Sequence, residues 1–200
     1  TYFLDDPVNG DQFSQVDKRF QSAMNLSHLW VNRIGGLEVE NTAGIQFQND
    51  VIDNGLLSTK QRQTLSTTRK DHINQNSIGL YYQNSIQWLE KFRSVAGVRS
   101  DYYWFDVSSH QAVNSGKRYD SITNPKISLI FGPWAQTEFY FNYGGGFHSN
   151  DARGTTTTVD PKSGDPVNRV NPLVRSTGYE VGVRTAIVPG LQASFAAFRL

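Results

Sequence analysis

Residues 137–154 read TEFYFNYGGGFHSNDARG. From Glu138 the side chains alternate. Phe139, Phe141, Tyr143 and Phe147 share one parity, and Glu138, Tyr140, Asn142, Gly144, Gly146 and His148 share the other. Successive side chains of a strand point to opposite faces, so this stretch makes a ribbon with one aromatic face and one polar or bare face. A period of two argues against a helix. A polar run to about Asn171 follows, whereas the connection before the ribbon, residues 132–136, is short and holds Pro133 and Trp134.

Seven further ribbons of this kind can be read. The first covers residues 11–30, with Phe20, Met24, Leu26, His28 and Trp30 on its apolar side. The second covers 37–53 (Val39, Ala43, Ile45, Phe47, Val51) and the third 69–83 (Ile78, Leu80, Tyr82). The fourth covers 92–107 (Ala96, Val98, Tyr102, Trp104) and the fifth 121–131 (Ile127, Leu129, Phe131). Residues 137–148 are the sixth. The seventh covers 178–188 (Tyr179, Val181, Val183, Ile187), and the eighth starts at Leu191 after the turn Pro189-Gly190. Residues 1–10 look like the tail of a loop.

The connections sort by parity. Those after the second, fourth and sixth ribbons, residues 54–68, 108–120 and 151–171, are long and polar; the others are short. Trp30, Trp88 and Trp134 lie at or beside short turns, and Trp104 sits near the other end of its strand with Tyr102, Tyr103 and Phe105. Outer-membrane barrels carry short turns on one side and long loops on the other, and their aromatic rings collect at the two headgroup levels. A soluble β-sandwich or propeller also alternates. Loop parity and tryptophan placement favour the barrel. Glu40, Arg99, Asp101, Lys126, Glu138, Glu180 and Arg184 fall mid-strand on the polar parity. In a barrel they are expected to line a wet interior as cross-strand ion pairs and hydrogen bonds.

The 200 residues carry a net charge of +1, which argues against nucleic acid as a partner. No run of about 18 apolar residues offers a transmembrane helix, but half of each barrel strand faces water, so polarity does not count against a barrel. There is no cysteine, and His28, His72, His110 and His148 have no metal-ligand spacing. No GxSxG, Walker or dinucleotide motif occurs, and Gly144–Gly146 precede no helix pattern. No enzyme chemistry, cofactor or metal is expected. In the GFHSNDARG stretch the glycines suit a kinked rim, Asn150 and Asp151 suit turns, and Arg153 is placed to pair with Asp151 or a neighbouring strand. The run 155–158 of four threonines reads as mobile loop.

TEFYFNYGGGFHSNDARG at 137–154, with NPKISLIFGPW at 124–134, PLVRSTGYEVGVRT at 172–185 and FRSVAGVRSDYYWFDV at 92–107, resembles the barrel domain of a TonB-dependent receptor of Gram-negative outer membranes. GFHSNDARG is the most specific piece, and the match extends from about Asp11 to Leu200. The resemblance implies an all-β fold: an antiparallel up-and-down transmembrane β-barrel segment, about eight consecutive strands of a 22-stranded barrel. It implies a partial barrel domain over residues 1–200, with the N-terminal plug and TonB box outside them. LQASFAAFRL still alternates as the sequence stops, consistent with a piece of a longer protein. Implied partners are outer-membrane lipid, the TonB energy-transducing complex reached through the plug, and a small nutrient ligand: a ferric siderophore or other metal chelate, cobalamin or a glycan. Ligand contacts are then expected from the outer loops, with Arg62, Arg118, Tyr119 and Arg169 as candidates. Two other readings are a complete eight-stranded outer-membrane barrel of structural or adhesive role, and a soluble all-β carbohydrate-binding domain or hydrolase.

Overall fold

Alternating ribbons joined by tight turns form one meander. The computed structural model describes residues 12–60 and 62–200; the expected loop tail at 1–10 lies outside these. The strands are β1 (Gln12–Ile34), β2 (Leu37–Lys60), β3 (Gln63–Leu89), β4 (Phe92–Ser109), β5 (Gly116–Trp134), β6 (Thr137–Ser149), β7 (Leu173–Thr185) and β8 (Ala193–Arg199). All pair antiparallel in chain order. β1 and β8 are the two edges and do not pair with each other. The sheet is thus an open half-barrel, and the described residues do not close into an eight-stranded barrel of their own.

The short turns have a local cause. Gly35 and Gly36 have φ of +58° and +84°, and Ala135 and Gln136 have +46° and +59°. Two consecutive positive φ values make a type I′ turn, whose twist matches that of the strands it joins.

The other end corrects the expected loops. Residues 54–68 are not a loop. β2 runs to Lys60 and β3 starts at Gln63, with Arg62 in the turn at φ +65°. Gly55 pairs with Lys70 and Leu56 with Arg69, and register shifts follow at Leu56/Leu57 and Ser58/Thr59. Backbone pairing needs no apolar face, and alternation fades where both faces of a strand are wet. The connection 108–120 shrinks to a 3-10 turn, Ala112–Asn114, and its flanks. β7 starts earlier than expected and stops at Thr185, so Ile187, Val188 and Leu191 lie in the connection to β8. The long connection is residues 150–172, which carries a short helix, α1 (Ala152–Thr156). The threonines expected in mobile loop are packed there: Thr155, Thr156 and Thr157 are buried.

The outward face carries the apolar parity. On β2 and β3, Phe47/Ile78, Ile45/Leu80 and Ala43/Tyr82 are directly opposed. Two asparagine pairs bound these rows, Asn49 opposite Asn76 and Asn41 opposite Asn84. Asn49 Nδ2 donates to Asn76 Oδ1 at 2.9 Å, and Asn84 Nδ2 to Asn41 Oδ1 at 2.8 Å. Eight residues of rise separate the pairs on each strand. That is roughly 27 Å along the strand, or about 20 Å of height at a tilt near 40°, close to the apolar band of a membrane barrel. Trp104 and Tyr119 continue the upper row onto β4 and β5, and Trp30 stands opposite Asn41 in the lower. The lower row runs on through Ala96, Ile127, Tyr143 and Tyr179. There it forms the top of the apolar set on β6 and β7, a stagger that tilted strands require.

One aromatic leaves this face. β5–β6 pairing ends at Lys126↔Gly144, while β6 stays paired with β7 to Ser149↔Leu173. A Cβ at Gly145 would lie 2.9 Å from Asn124 Oδ1. The bare backbone lets upper β6 approach closely and bend over the concave side. Phe147 therefore packs edge-on against Tyr103, at 5.8 Å and 80°, instead of joining Phe139, Phe141 and Tyr143.

Candidate functional site

The concave face is polar at mid-height. Arg99 Nε donates to both Asp101 oxygens at 2.9 Å, Nη2 donates to Oδ1 at 2.6 Å, and Nη1 donates to Gln46 Oε1 at 2.5 Å. Gly79 lies directly across from Asp101. A Cβ there would sit 2.2 Å from Arg99 Nη2 and 2.6 Å from Asp101 Oδ1. A hydrogen at position 79 leaves the space that this ion pair fills. The same device recurs: the Tyr81 ring lies 2.4 Å from a Cβ built at Gly44, and the Tyr140 ring 2.4 Å from one built at Gly182. Of the expected cross-strand ion pairs, Glu138–Arg184 forms between directly opposed residues at 2.5 Å. The Arg99–Asp101 pair instead runs along one strand, because the vacancy at Gly79 draws both groups to the same point. Asn142 Nδ2 donates to Glu180 Oε1 at 3.2 Å. Lys126, Arg99, Gln46, Tyr81, Asn124 and Phe147 line a hollow of about 420 Å3.

Above this, residues 150–172 form a strap tied to the strand ends. Ala152 packs into a small core of Ile52, Ile73, Phe105 and Val107. Asp151 caps α1, accepting from Arg153 N at 2.9 Å. The Arg153 guanidinium grips Asp151 and reaches Asn54 on β2, so both pairings read for Arg153 occur together. Arg69 joins Asp71 and donates to Thr157 Oγ1 at 3.1 Å. Asn114, fully buried, accepts from Thr158 N and Val159 N at 2.9 and 3.0 Å and donates to Val159 O at 2.8 Å.

Burial opposes ionisation of Asp151 most strongly. Donation from the Arg153 side chain and backbone, with the charges of Arg153 and Arg69, outweighs it, and the carboxyl titrates below its ordinary value of 3.8. A carboxyl depressed by folding stabilises fully above its unfolded value and loses that contribution as pH falls through the folded one. Exchange protection of the Thr157 amide, which donates to Arg153 O at 2.9 Å, is expected to hold from pH 7 to about 4 and fall below it. Arg153→Ala is expected to speed that exchange about tenfold at pH 7, the loss of one charge-assisted bond. Unchanged exchange by mass spectrometry would show that the strap is held by packing alone.

The four residues singled out as ligand contacts are not brought together. Arg62 is in the β2–β3 turn and Arg169 on the strap. Arg118 and Tyr119 are strand residues, not loop residues. Arg118 pairs with Phe105 of the concave cluster, while Tyr119 pairs with Trp104 on the outer face and is 78% exposed. Sequence reasoning missed Arg69, Asp71 and Asn114. Asp71 lies on the inward parity of β3 and could have been found by counting; Asn114 carries no such signal. Among the described residues no group of three histidines and carboxylates is placed to hold a metal ion.

Residues 1–200 match the family model described as TonB dependent receptor-like, beta-barrel. No curated protein matches the chain. Among solved structures, the ferric citrate transporter FecA in its unliganded form superposes with a TM-score of 0.74 at 12% identity, over 94% of this chain and 28% of that one. BauA, the ferric preacinetobactin receptor from Acinetobacter baumannii, gives 0.72 at 13%, over 93% and 29%. The alcaligin outer membrane receptor FauA from Bordetella pertussis gives 0.63 at 18%, over 94% and 30%. At such identities the likeness is one of fold. The chain spans about three tenths of the length of these structures.

Proposed function

The chain belongs to the TonB-dependent receptor β-barrel family, and from that premise we propose that it is part of an outer-membrane receptor that imports a scarce nutrient with energy delivered through TonB. Members of the family are Gram-negative outer-membrane transport receptors. The observation that carries the reading is the outward apolar band held between two asparagine pairs and two aromatic levels, set against a concave face of ion pairs. Lipid accounts for the first and a wet, filled interior for the second. Among its structural neighbours are proteins named as a ferric citrate transporter, a ferric preacinetobactin receptor and a copper transporter. A ferric siderophore or another metal chelate is therefore the cargo class we favour, as substrate and not as a resident cofactor. Cobalamin and glycans remain in the panel to be tested. Energy would reach the barrel through a plug outside these residues. Arg62, Arg118 and Arg169 are carried forward as contacts for the cargo, while Tyr119, in the outer aromatic row beside Trp104, is assigned to the lipid side.

Deletion of the gene for the intact receptor is expected to abolish most accumulation of one labelled cargo from a panel of ferric and cupric chelates, cobalamin and oligosaccharides. The intact gene should restore it. Uptake unchanged for every member would end the import reading. Alanine at Arg62, Arg118 and Arg169 together is expected to weaken uptake affinity without changing receptor abundance; unchanged affinity would remove their role and leave import standing.

A further inference from the structure

Lys126 lies on the concave parity of β5, directly between Gly97 of β4 and Gly144 of β6. A Cβ built at Gly97 would lie 3.0 Å from Lys126 Cε and 3.4 Å from its Cγ. One built at Gly144 would meet that side chain only at Cβ, at 3.6 Å. The aliphatic stem therefore leans over the bare backbone of Gly97, and the ammonium is carried toward Gln83, which pairs with Gly97 on β3. Lys126 is exposed, so this ammonium is open to a ligand. It enters the concave hollow of about 420 Å3, which Gln83, Tyr81, Arg99 and Asn124 also line. The bent upper end of β6 brings Phe147 to the same space.

The charges around this hollow have one sign. Arg99 and Lys126 line it, and no acidic side chain does. Arg99 is the diagonal cross-strand neighbour of Lys126, since Gly97 pairs with Lys126 and Arg99 with Asn124. The carboxylate of Asp101 is enclosed and committed to Arg99. Arg175 adds a third cation at the edge, donating from Nη1 to Thr123 O at 2.8 Å and Asn124 Oδ1 at 3.0 Å. Among the described residues neither Lys126 nor Arg175 has an ion-pair partner. Like charges on neighbouring strands repel, and an anion placed between them offsets that cost. A phosphate calls for an uncommitted arginine fork or a helix N-terminus, and this wall offers neither. A carboxylate is better matched: one ammonium balances its charge, and its two oxygens accept from the ammonium and from neighbouring donors. The hollow has the size of a small-ligand pocket, and Tyr81 and Phe147 give it aromatic surface for the rest of the molecule.

We propose that this hollow binds a carboxylate, received by Lys126 Nζ. Two sources present that chemistry: a small organic acid, and an aspartate or glutamate side chain from elsewhere in the receptor. Calorimetric titration of the intact receptor with sodium benzoate, using benzyl alcohol as the neutral control, separates them. A small-ligand site binds benzoate saturably and the alcohol at least about tenfold more weakly, and Lys126→Gln weakens benzoate binding about tenfold or more. A site filled by the receptor's own side chain gives no titration. An experimental structure of the intact receptor then shows an aspartate or glutamate oxygen, from outside residues 1–200, within hydrogen-bond distance of Lys126 Nζ. Either outcome supports the assignment. The absence of both overturns it, as does benzoate binding that the alcohol matches or that Lys126→Gln leaves unchanged. The benzoate–alcohol comparison uses the unmodified receptor and does not depend on the variant folding.

Discussion

Leu80→Arg in the intact receptor is expected to cost about 2–4 kcal/mol of folding stability in bilayers, against about 0.5 kcal/mol or less for Gln83→Arg three residues along the same strand. Leu80 is 47% exposed and lies opposite Ile45, midway between the Asn49/Asn76 and Asn41/Asn84 pairs. An arginine there must hold its charge in hydrocarbon or bend toward a headgroup about 10 Å away. Gln83 has the opposite parity and lines the concave hollow, where a guanidinium meets water and polar groups. Were the sheet soluble, Leu80 would be an ordinary exposed leucine, and the two substitutions would cost the same. Unfolding in lipid vesicles measures the difference directly. Spin probes at Leu80, Phe141 and Val183 give a second readout and should report hydrocarbon. Equal costs together with probes reporting a dry protein interior would remove the membrane assignment, and the import reading with it.

How much of this was legible in the sequence depended on which physical signal each residue left. Strand existence, order and outward parity were readable because hydrocarbon demands an unbroken apolar side: Met24, Ile45, Leu80 and Val181 could not be polar. The short turns were readable because Gly35-Gly36 marks a positive-φ turn, and because Trp30, Trp88 and Trp134 sit beside these connections. Strand length above the membrane was not readable. Once both faces are wet, polar strand and polar loop have the same composition, so the β2–β3 hairpin around residues 54–70 looked like loop. Phe147 was misplaced because parity counting assumes that a strand stays in one sheet surface, and above Gly144 β6 leaves β5 and bends with β7 over the concave side. Asn114 and Thr157 were out of reach for another reason: their partners Thr158 and Arg69 lie 44 and 88 residues away. The glycines opposite Arg99, Tyr81 and Tyr140 were visible as residues but not as vacancies, because a vacancy is defined by the neighbouring strand.

The vacancy at Gly79 yields the second large expected effect. Asp101→Ala is expected to destabilise the intact receptor by about 3 kcal/mol, the low end for removing one partner of a buried ion pair. The Asp101 side chain is almost fully enclosed, whereas the Arg99 side chain is 37% exposed and keeps its bond to Gln46, which limits the loss. Gly79→Ala should cost about 1–3 kcal/mol by overpacking, because its Cβ falls on the Arg99 and Asp101 terminal atoms. The two costs are not independent. With the carboxylate gone, the Arg99 guanidinium is free to swing away from position 79, and the added methyl finds room. The double variant is therefore expected to be about 1 kcal/mol more stable than the sum of the single losses predicts. Asp101→Asn should lose most of that coupling and add nearly independently to Gly79→Ala, since the carboxamide still occupies the space over position 79 while the charge contribution is lost. Strictly additive costs in the Asp101→Ala cycle would show that Gly79 is needed for some feature other than the pair lying across it.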